Sequence, residues 1–301
     1  MANYITHIAM GEVISIPKRI NIEKKSLELF SLGQDLMSIT SKLNYNTHNS
    51  LTHTFFKSLI YYIKQNKLYE NEEIIAYLYG HIMHYELDKH THPYIYYITN
   101  DVPKFGIVNF HMALEEYLGN IVLDSKLTLS RKQIFDKCKE VKPNKNKVLE
   151  ELVNKIYLET YNYKNSFNIF KTTLESFKLL NSFRDVLDKL DQDLYYRLIG
   201  LQHYLKEIQL PIENVANMNH DTWYDPITKD KHNSSFIDMF DGSILSSQEI
   251  IYEVNKVLYD GSPISTLDSI FDNSSYDTAL NCEIGKSFSY SRYKTLIKNT
   301  K

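Results

Sequence analysis

The sequence is poor in the residues that cross-link a chain or turn it sharply. Its 2 cysteines, Cys138 and Cys282, are far apart and lack Cys-x-x-Cys spacing, so neither a disulfide framework nor a thiolate zinc site is indicated. The 9 glycines and 7 prolines are few for 301 residues, which favours long helices over tight hairpins. The N-terminus lacks a signal-peptide pattern, and no apolar run reaches the roughly 20 residues that a membrane helix needs. We therefore expect a helical, cytoplasmic protein without a transmembrane segment.

The charge balance also excludes a class of partners. The formal net charge is −3, which provides no electrostatic basis for binding nucleic acid or an anionic membrane surface. The 24 tyrosines accompany abundant asparagine, lysine and isoleucine. This composition is typical of an A/T-rich coding bias, and it does not by itself indicate an aromatic binding surface. Nothing in the sequence predicts the oligomeric state.

What the sequence does contain is one window dense in metal-ligand side chains. The stretch AYLYGHIMHYELDKHTH, at 76–92, carries His81, His84, Asp88, His90 and His92. On a helix His84, Asp88 and His92 share one face, because they are spaced four residues apart. Imidazoles and a carboxylate on an apolar face are costly unless paired, and zinc would pair them. A histidine-rich helix without metal is the alternative. We expect His81 and His90 to support the ligands or face solvent.

Two earlier segments supply further ligand types. The segment at 4–16 predicts a short helix with His7 near its start and Pro17 at its end. The amphipathic stretch IEKKSLELFSLGQDL predicts a helix that stops at Gly33 and leaves Asp35 in a loop.

The segments on either side of the histidine-rich helix add more. A helix is predicted around 55–63, with His48 before it and His53 in its first turn. Pro93 is expected to terminate the histidine-rich helix. Beyond it, FHMALEEYLGNIVL places His111 and Glu115 four residues apart on a second helix.

The later half of the chain is predicted to consist of packing helices. Helices are predicted at 129–141, at 147–180 as one long helix or a pair, at 184–208 and at 246–259. The 184–208 helix has an apolar stripe through Val186, Leu190, Leu194 and Leu198. We expect one helical domain over 1–301, with ligand-bearing helices in 1–120 and packing helices in 121–301. The loop at 217–235 holds His220 and Trp223, the only tryptophan. It is interpreted as a substrate-binding cover for the metal site, or else as a plug in the bundle.

The ordered set of His7, Asp35, His48 or His53, His84-x3-Asp88, His92 and His111-x3-Glu115 resembles the zinc-dependent phospholipase C family. The local segments THIAMGEVI, GQD at 33–35, AYLYGHIMHYELDKHTHPYI and FHMALEEYL agree with it over about residues 4–118. The resemblance implies an all-α, multi-helix bundle like the helical catalytic domain of that family. It also implies a phosphodiester or phospholipid-like small substrate.

Residue by residue, the resemblance implies the following ligands. Asp35, His84 and one of His48 or His53 would bind one zinc together with Asp88. His48 is preferred, because its distance from Asp35 is closer to the family's.

A second zinc would be bound by His92, His111 and Glu115, and Asp88 would bridge to or serve a neighbouring metal. Two Zn²⁺ ions are expected. A third, involving His7, is left open, because the secreted enzymes complete that site with an N-terminal tryptophan and this chain begins Met1-Ala2.

The function expected from such a site is zinc-dependent phosphodiester hydrolysis, with Asp35 orienting or deprotonating the attacking water. The alternative is a metal-stabilised helical scaffold that binds a lipid or protein partner without catalysis. A helical di-iron oxidase fits less well, because those sites use Glu-x-x-His pairs. The β-rich lipid-binding domain of the toxin members has no counterpart in the predicted helices of 120–301.

Overall fold

The computed structural model describes residues 4–17, 19–105, 108–187, 192–285 and 287–299. The prediction of an all-α bundle is confirmed. The α-helices, in chain order, are α1 (Tyr4–Val13), α2 (Lys24–Phe30), α3 (Ser41–Asn49), α4 (Thr52–Gln65), α5 (Glu72–Thr99), α6 (Phe110–Lys126), α7 (Arg131–Glu140), α8 (Lys147–Tyr161), α9 (Ser166–Leu187), α10 (Gln192–Leu198), α11 (Leu201–Glu207), α12 (Phe236–Tyr259) and α13 (Arg292–Asn299).

Short 3₁₀ helices connect several of these elements. They span Gly33–Met37, Leu68–Glu70, Pro143–Lys145, Ile212–Asn214, Ile264–Ser269 and Cys282–Ile284. Buried apolar side chains from both halves of the chain form one cluster. Within the described ranges, no helix is both long enough and apolar enough to cross a bilayer.

Helix α5 is the central element, with α1, α2, α6 and α12 packed around it. Its start is set by Asn71, whose side chain accepts hydrogen bonds from the backbone N–H groups of Glu73 and Ile74. The prediction that the helix ends at Pro93 is wrong, because α5 continues to Thr99. Proline removes one backbone donor, but tertiary packing overrides that cost here: the residues just beyond it, Tyr94 and Ile95, are each 2% exposed.

Two glycines set how closely other segments approach α5. At Gly80, an added Cβ would lie 2.3 Å from the carbonyl oxygen of Phe30, so the end of α2 packs directly on the α5 backbone. At Gly33, which has φ +46°, an added Cβ would lie 2.4 Å from the Cβ of His84. The 3₁₀ helix that carries Asp35 therefore lies against the His84 turn of α5.

The helix predicted at 184–208 is wrong in its boundaries. Helix α9 runs to Leu187, and α10 and α11 are separate short helices, with Gly200 at φ +82° immediately before α11. Leu194 and Leu198 are 46% and 60% exposed and form no buried stripe. The side chains of Val186 and Leu190 lie outside the described part of the chain.

The other predicted packing helices are present with altered limits. The 147–180 segment is the pair α8 and α9, and α7 matches the predicted 129–141 helix closely. Helix α12 begins ten residues before the predicted start, because Ser235 and Asp238 form a capping box ahead of it.

The loop at 217–235 has some regular structure of its own. Strands β1 (Trp223–Tyr224) and β2 (Lys231–His232) pair antiparallel, with Trp223 opposite His232. The Trp223 indole is 4% exposed, and its ring lies 5.2 Å from that of Tyr94 on α5. Its Nε1–H donates to the Ser234 carbonyl. The indole therefore packs the loop onto α5.

Candidate metal centre

Three groups of ligand-type side chains lie along one face of α5. The first consists of His7, His84 and Asp88, the second of Asp35, His48 and His84, and the third of His92, His111 and Glu115. In each group the three ligand atoms lie within 4.8 Å of one another. They come from α1, the Gly33–Met37 3₁₀ helix, α3, α5 and α6. The four-residue spacing places the ligands of α5 on one face, and tertiary packing brings the other segments to that face.

Asp88 lies at the centre of these groups. Its Oδ1 is 3.2 Å from His7 Nε2, and its Oδ2 is 3.3 Å from His84 Nε2. Oδ2 also lies 3.9 Å from His48 Nε2 and 3.9 Å from His92 Nδ1. The carboxylate is 1% exposed, so water does not compensate its charge.

Backbone carbonyls orient two of the ligand histidines, His48 and His84. His48 Nδ1 bonds to the Asn44 carbonyl at 2.8 Å, and His84 Nδ1 bonds to the Ser31 carbonyl at 3.2 Å. A carbonyl can only accept, so in a neutral ring the proton is on Nδ1 and the lone pair is on Nε2. Burial, reinforced by the neighbouring imidazoles, holds the pKa of His84 well below its usual range and keeps that ring neutral.

The consequence is a convergence of lone pairs. His84 Nε2 lies 3.4 Å from His48 Nε2 and 3.3 Å from Asp88 Oδ2, and His48 Nε2 lies 3.5 Å from Asp35 Oδ1. The buried atoms Asp35 Oδ2 and Asp88 Oδ2 accept no hydrogen bond within the described residues. Imidazole nitrogens and carboxylate oxygens at these separations are a zinc donor set. A bound cation would satisfy all of them at once, so the residues fit the metal.

The carboxylate of Asp35 is ionised despite its position. Burial acts to raise its pKa, but the His48 imidazole outweighs burial and lowers the pKa below its usual value. A metal ligand must be deprotonated, and an ionised Asp35 meets that condition; a bound cation would take the place of the His48 proton that favours the ionised form in the metal-free protein.

The third group is separate and slightly more open. Glu115 Oε1 lies 3.0 Å from His111 Nε2 and 3.3 Å from His92 Nε2. Burial raises the pKa of Glu115, but His111 and His92 more than offset it, so the pKa lies well below its usual range. Burial lowers the pKa of His92, yet Asp88 and Glu115 raise it to about 9. Without a cation, protonated imidazole is the charge available to this carboxylate.

A cavity of about 580 Å³ lies over these groups. Its walls include Asp35, His48, Asp88, His92 and His111. The remaining described wall residues are polar or uncharged apart from one further aspartate, with no lysine or arginine among them. A small substrate can therefore reach ligands of the second and third groups from one side.

Comparison with protein families assigns the chain to one of them. The family model described as zinc dependent phospholipase C matches residues 4–167. The chain belongs to the zinc-dependent phospholipase C family. The match contains every residue of the three ligand groups. Neither the curated proteins nor the solved structures that were compared include a match.

The structure separates the two histidines that competed for the early phospholipase C position. His48 lies beside Asp35 and His84, whereas His53 lies outside the three groups. His53 Nδ1 bonds to the Phe271 carbonyl, and its Nε2 lies 3.7 Å from Asp268.

The other two α5 histidines also lie outside the groups. His81 is buried, and its Nδ1 bonds to the Tyr77 carbonyl; burial lowers its pKa to about 4. His90 is half-buried, and its Nδ1 bonds to the Glu86 carbonyl.

The structure does not bring His220 and Trp223 to the cavity, contrary to the covering-loop interpretation. Tyr94 and Tyr97, which contact Trp223, lie about 140–200° around α5 from His92. His220 is exposed and pairs with Asp238. The apolar indole is buried in the bundle instead.

The segment that does reach the cavity is one that the sequence analysis missed. The Tyr276 carbonyl accepts a hydrogen bond from His92 Nδ1 at 3.0 Å, and Asp277 lines the cavity. A backbone acceptor has no sequence signature, and a lone aspartate in a serine-rich turn is most often a turn residue. Both residues lie beyond the part of the chain that the phospholipase C family model matches.

Proposed function

We propose that this protein is a zinc-dependent phosphodiester hydrolase that acts on phospholipid-like substrates. The observation that carries the proposal is the convergence of lone pairs from Asp35, His48, His84 and Asp88 beneath a solvent-reachable cavity. Membership of the zinc-dependent phospholipase C family supports the same reaction class.

The ligand residues divide into two proposed zinc sites. His84, His48 and Asp88 form one proposed zinc site with Asp35, and the other site consists of His92, His111 and Glu115. Zinc bound at such sites would polarise phosphoryl oxygens and lower the pKa of a water molecule to about 7. The described cavity wall carries no lysine or arginine, so neither of these side chains is available there to bind the phosphate.

Asp35 is the proposed catalytic carboxylate. It lines the cavity, and its pKa lies below its usual value, so an ionised carboxylate is available to accept a hydrogen bond from the attacking water and take its proton. The backbone sets its position, because Gly33 allows its 3₁₀ helix to lie directly against His84.

The test is hydrolysis of a chromogenic phosphodiester, such as nitrophenyl phosphorylcholine, by zinc-loaded protein. Turnover should require zinc, and Asp35→Asn should lower kcat by about 10² or more, a typical loss for a missing general base. The amide keeps one oxygen for the metal, so much of the zinc should remain bound.

His53→Ala is the matched control, because His53 lies outside the three groups, and it should retain both zinc and turnover. Absence of zinc-dependent turnover over a broad panel of phosphomonoesters and phosphodiesters would contradict the proposal. It would instead support the metal-stabilised scaffold.

A further inference from the structure

The 272–281 turn reaches the metal centre from the far end of the chain. Ser274 and Asn281 form a bridge across it, and the Asp272 carboxylate accepts hydrogen bonds from the N–H and hydroxyl of Ser274. The Thr52 hydroxyl donates to the Ser274 carbonyl at 2.9 Å. The Ser275 hydroxyl donates to Asn49. The turn is thus fixed to the junction of α3 and α4, next to His48.

One residue of this turn contacts histidines of all three ligand groups. The Tyr276 N–H donates to the His48 carbonyl at 2.9 Å, and the Tyr276 carbonyl accepts from His92 Nδ1 at 3.0 Å. The Tyr276 ring lies 5.0 Å from the His48 ring and 5.6 Å from the His84 ring. The residue is fully buried, so these contacts are made in a closed interior.

The next residue places a carboxylate beside the third group. Asp277 Oδ1 lies 3.7 Å from His92 Nδ1 and accepts a hydrogen bond from the Tyr96 hydroxyl at 3.1 Å. The Tyr96 ring in turn lies 4.9 Å from the His111 ring and 5.8 Å from the His92 ring. Asp277 therefore interacts with His92 directly through its charge, and with both His92 and His111 through the Tyr96 side chain.

We propose that the 272–281 turn is part of the metal centre, with Asp277 as a positioning residue for the His92–His111–Glu115 site. The inference rests on the proposed zinc binding and adds residues from outside the family-matched region. The outer nitrogen of a ligand histidine needs an acceptor that fixes the ring orientation and raises its basicity. For His92, the Tyr276 carbonyl provides that acceptor. The negative charge of Asp277 helps to keep the proton on His92 Nδ1, and it also stabilises the positive charge of a bound metal.

The test is a zinc titration of the full-length Asp277→Asn variant against a competing chelator. Removing such an outer partner typically weakens metal affinity about 10- to 100-fold. We expect that loss for one zinc equivalent, with the other equivalent unchanged from wild type. With cobalt as the probe, the visible absorption of one equivalent should change in energy or intensity, which reports ligand geometry independently of turnover.

Four further variants, among them Tyr96→Phe alone, separate positioning from general stability. Asp272→Ala removes one of the turn's internal hydrogen-bond acceptors, so it should lower the unfolding temperature and leave the affinity of both zinc equivalents near wild type. Asp277→Glu retains the charge and should recover part of the lost affinity. Adding Tyr96→Phe to Asp277→Asn should weaken zinc binding by less than the two single changes combined, because both act through one hydrogen bond.

Unchanged zinc affinity and cobalt absorption in Asp277→Asn, with wild type binding two equivalents, would overturn this inference alone. Equal loss of affinity in Asp272→Ala and Asp277→Asn would also overturn it, because the effect would then reflect turn stability. A wild-type protein that binds no zinc would overturn both the inference and the proposed function.

Discussion

Replacing Asp88 with alanine removes a carboxylate that lies within 4 Å of histidines from all three ligand groups. In the metal-free protein, the largest loss is the acceptor of His7 Nε2, 3.2 Å away. Leaving a buried donor without its acceptor costs about 1–3 kcal/mol. The metal-free variant should therefore unfold at a lower temperature and still fold.

The zinc-dependent part of the effect is more diagnostic. A ligand present at 100 times its Kd stabilises the native state by about 2.7 kcal/mol for each site that it fills. For a chain of this length, about 2 °C of unfolding temperature corresponds to each kcal/mol. Wild type should therefore gain about 5 °C per occupied site, and Asp88→Ala should lose the increment of every site that needs this carboxylate.

The assay is a pair of thermal unfolding scans, in chelator and in excess zinc, with elemental analysis of protein purified without chelator. Wild type should contain at least two zinc ions per chain. Glu86→Ala is the matched control, because Glu86 is a carboxylate on the same helix that is 1% exposed and pairs with Lys89 and Ser246. It should lower the unfolding temperature in both conditions and keep the zinc increment. A normal zinc increment and normal zinc content in Asp88→Ala would refute the placement of the centre.

Two predictions concern residues away from the cavity. Trp223→Ala should lower the free energy of unfolding by about 3–5 kcal/mol, the usual cost of truncating a buried tryptophan, without changing zinc content, as chemical denaturation and elemental analysis would check. Burial and the adjacent Glu12 raise the pKa of Glu28 from its usual 4.5 to about 8. The folded protein therefore holds the Glu28 proton more tightly than the unfolded chain does. The resulting contribution to the free energy of unfolding is complete below about pH 4.5 and is lost as the pH rises to about 8. Glutamine cannot titrate, so the stability of Glu28→Gln relative to wild type should increase between about pH 4.5 and 8 and stay constant above that. A difference in denaturation midpoints that does not change between pH 5 and 8 would contradict this reasoning.

Helical periodicity accounts for the part of the site that the sequence made predictable. His84, Asp88 and His92 are four residues apart on one helix, and so are His111 and Glu115, so their common faces follow from 3.6 residues per turn. The meeting of those faces with Asp35 and His48 does not follow from local pattern. That meeting follows only from the order of the ligand motifs along the sequence, which resembles the order in the zinc-dependent phospholipase C family.

The errors have physical causes in tertiary structure. Pro93 disfavours helix locally, but α5 is buried on several sides, and packing holds its last turns. The Trp223 loop resembled a cover because it is polar and aromatic, yet burial of the indole against Tyr94 decided its place. Tyr276 acts through its backbone carbonyl, which every residue type shares, so its identity carried no signal.

The glycine at position 33 also determines what changes the site can tolerate. The approach between the Asp35 segment and His84 is a backbone contact, since an added Cβ at Gly33 would lie 2.4 Å from the Cβ of His84. Lengthening or shortening a ligand side chain leaves that contact in place, whereas a single methyl group at Gly33 would force the two segments apart. To fit a cation of another radius, the backbone of the Asp35 segment would therefore have to move relative to α5. Exchange of the ligand side chains alone would leave the distance between these two backbones almost unchanged.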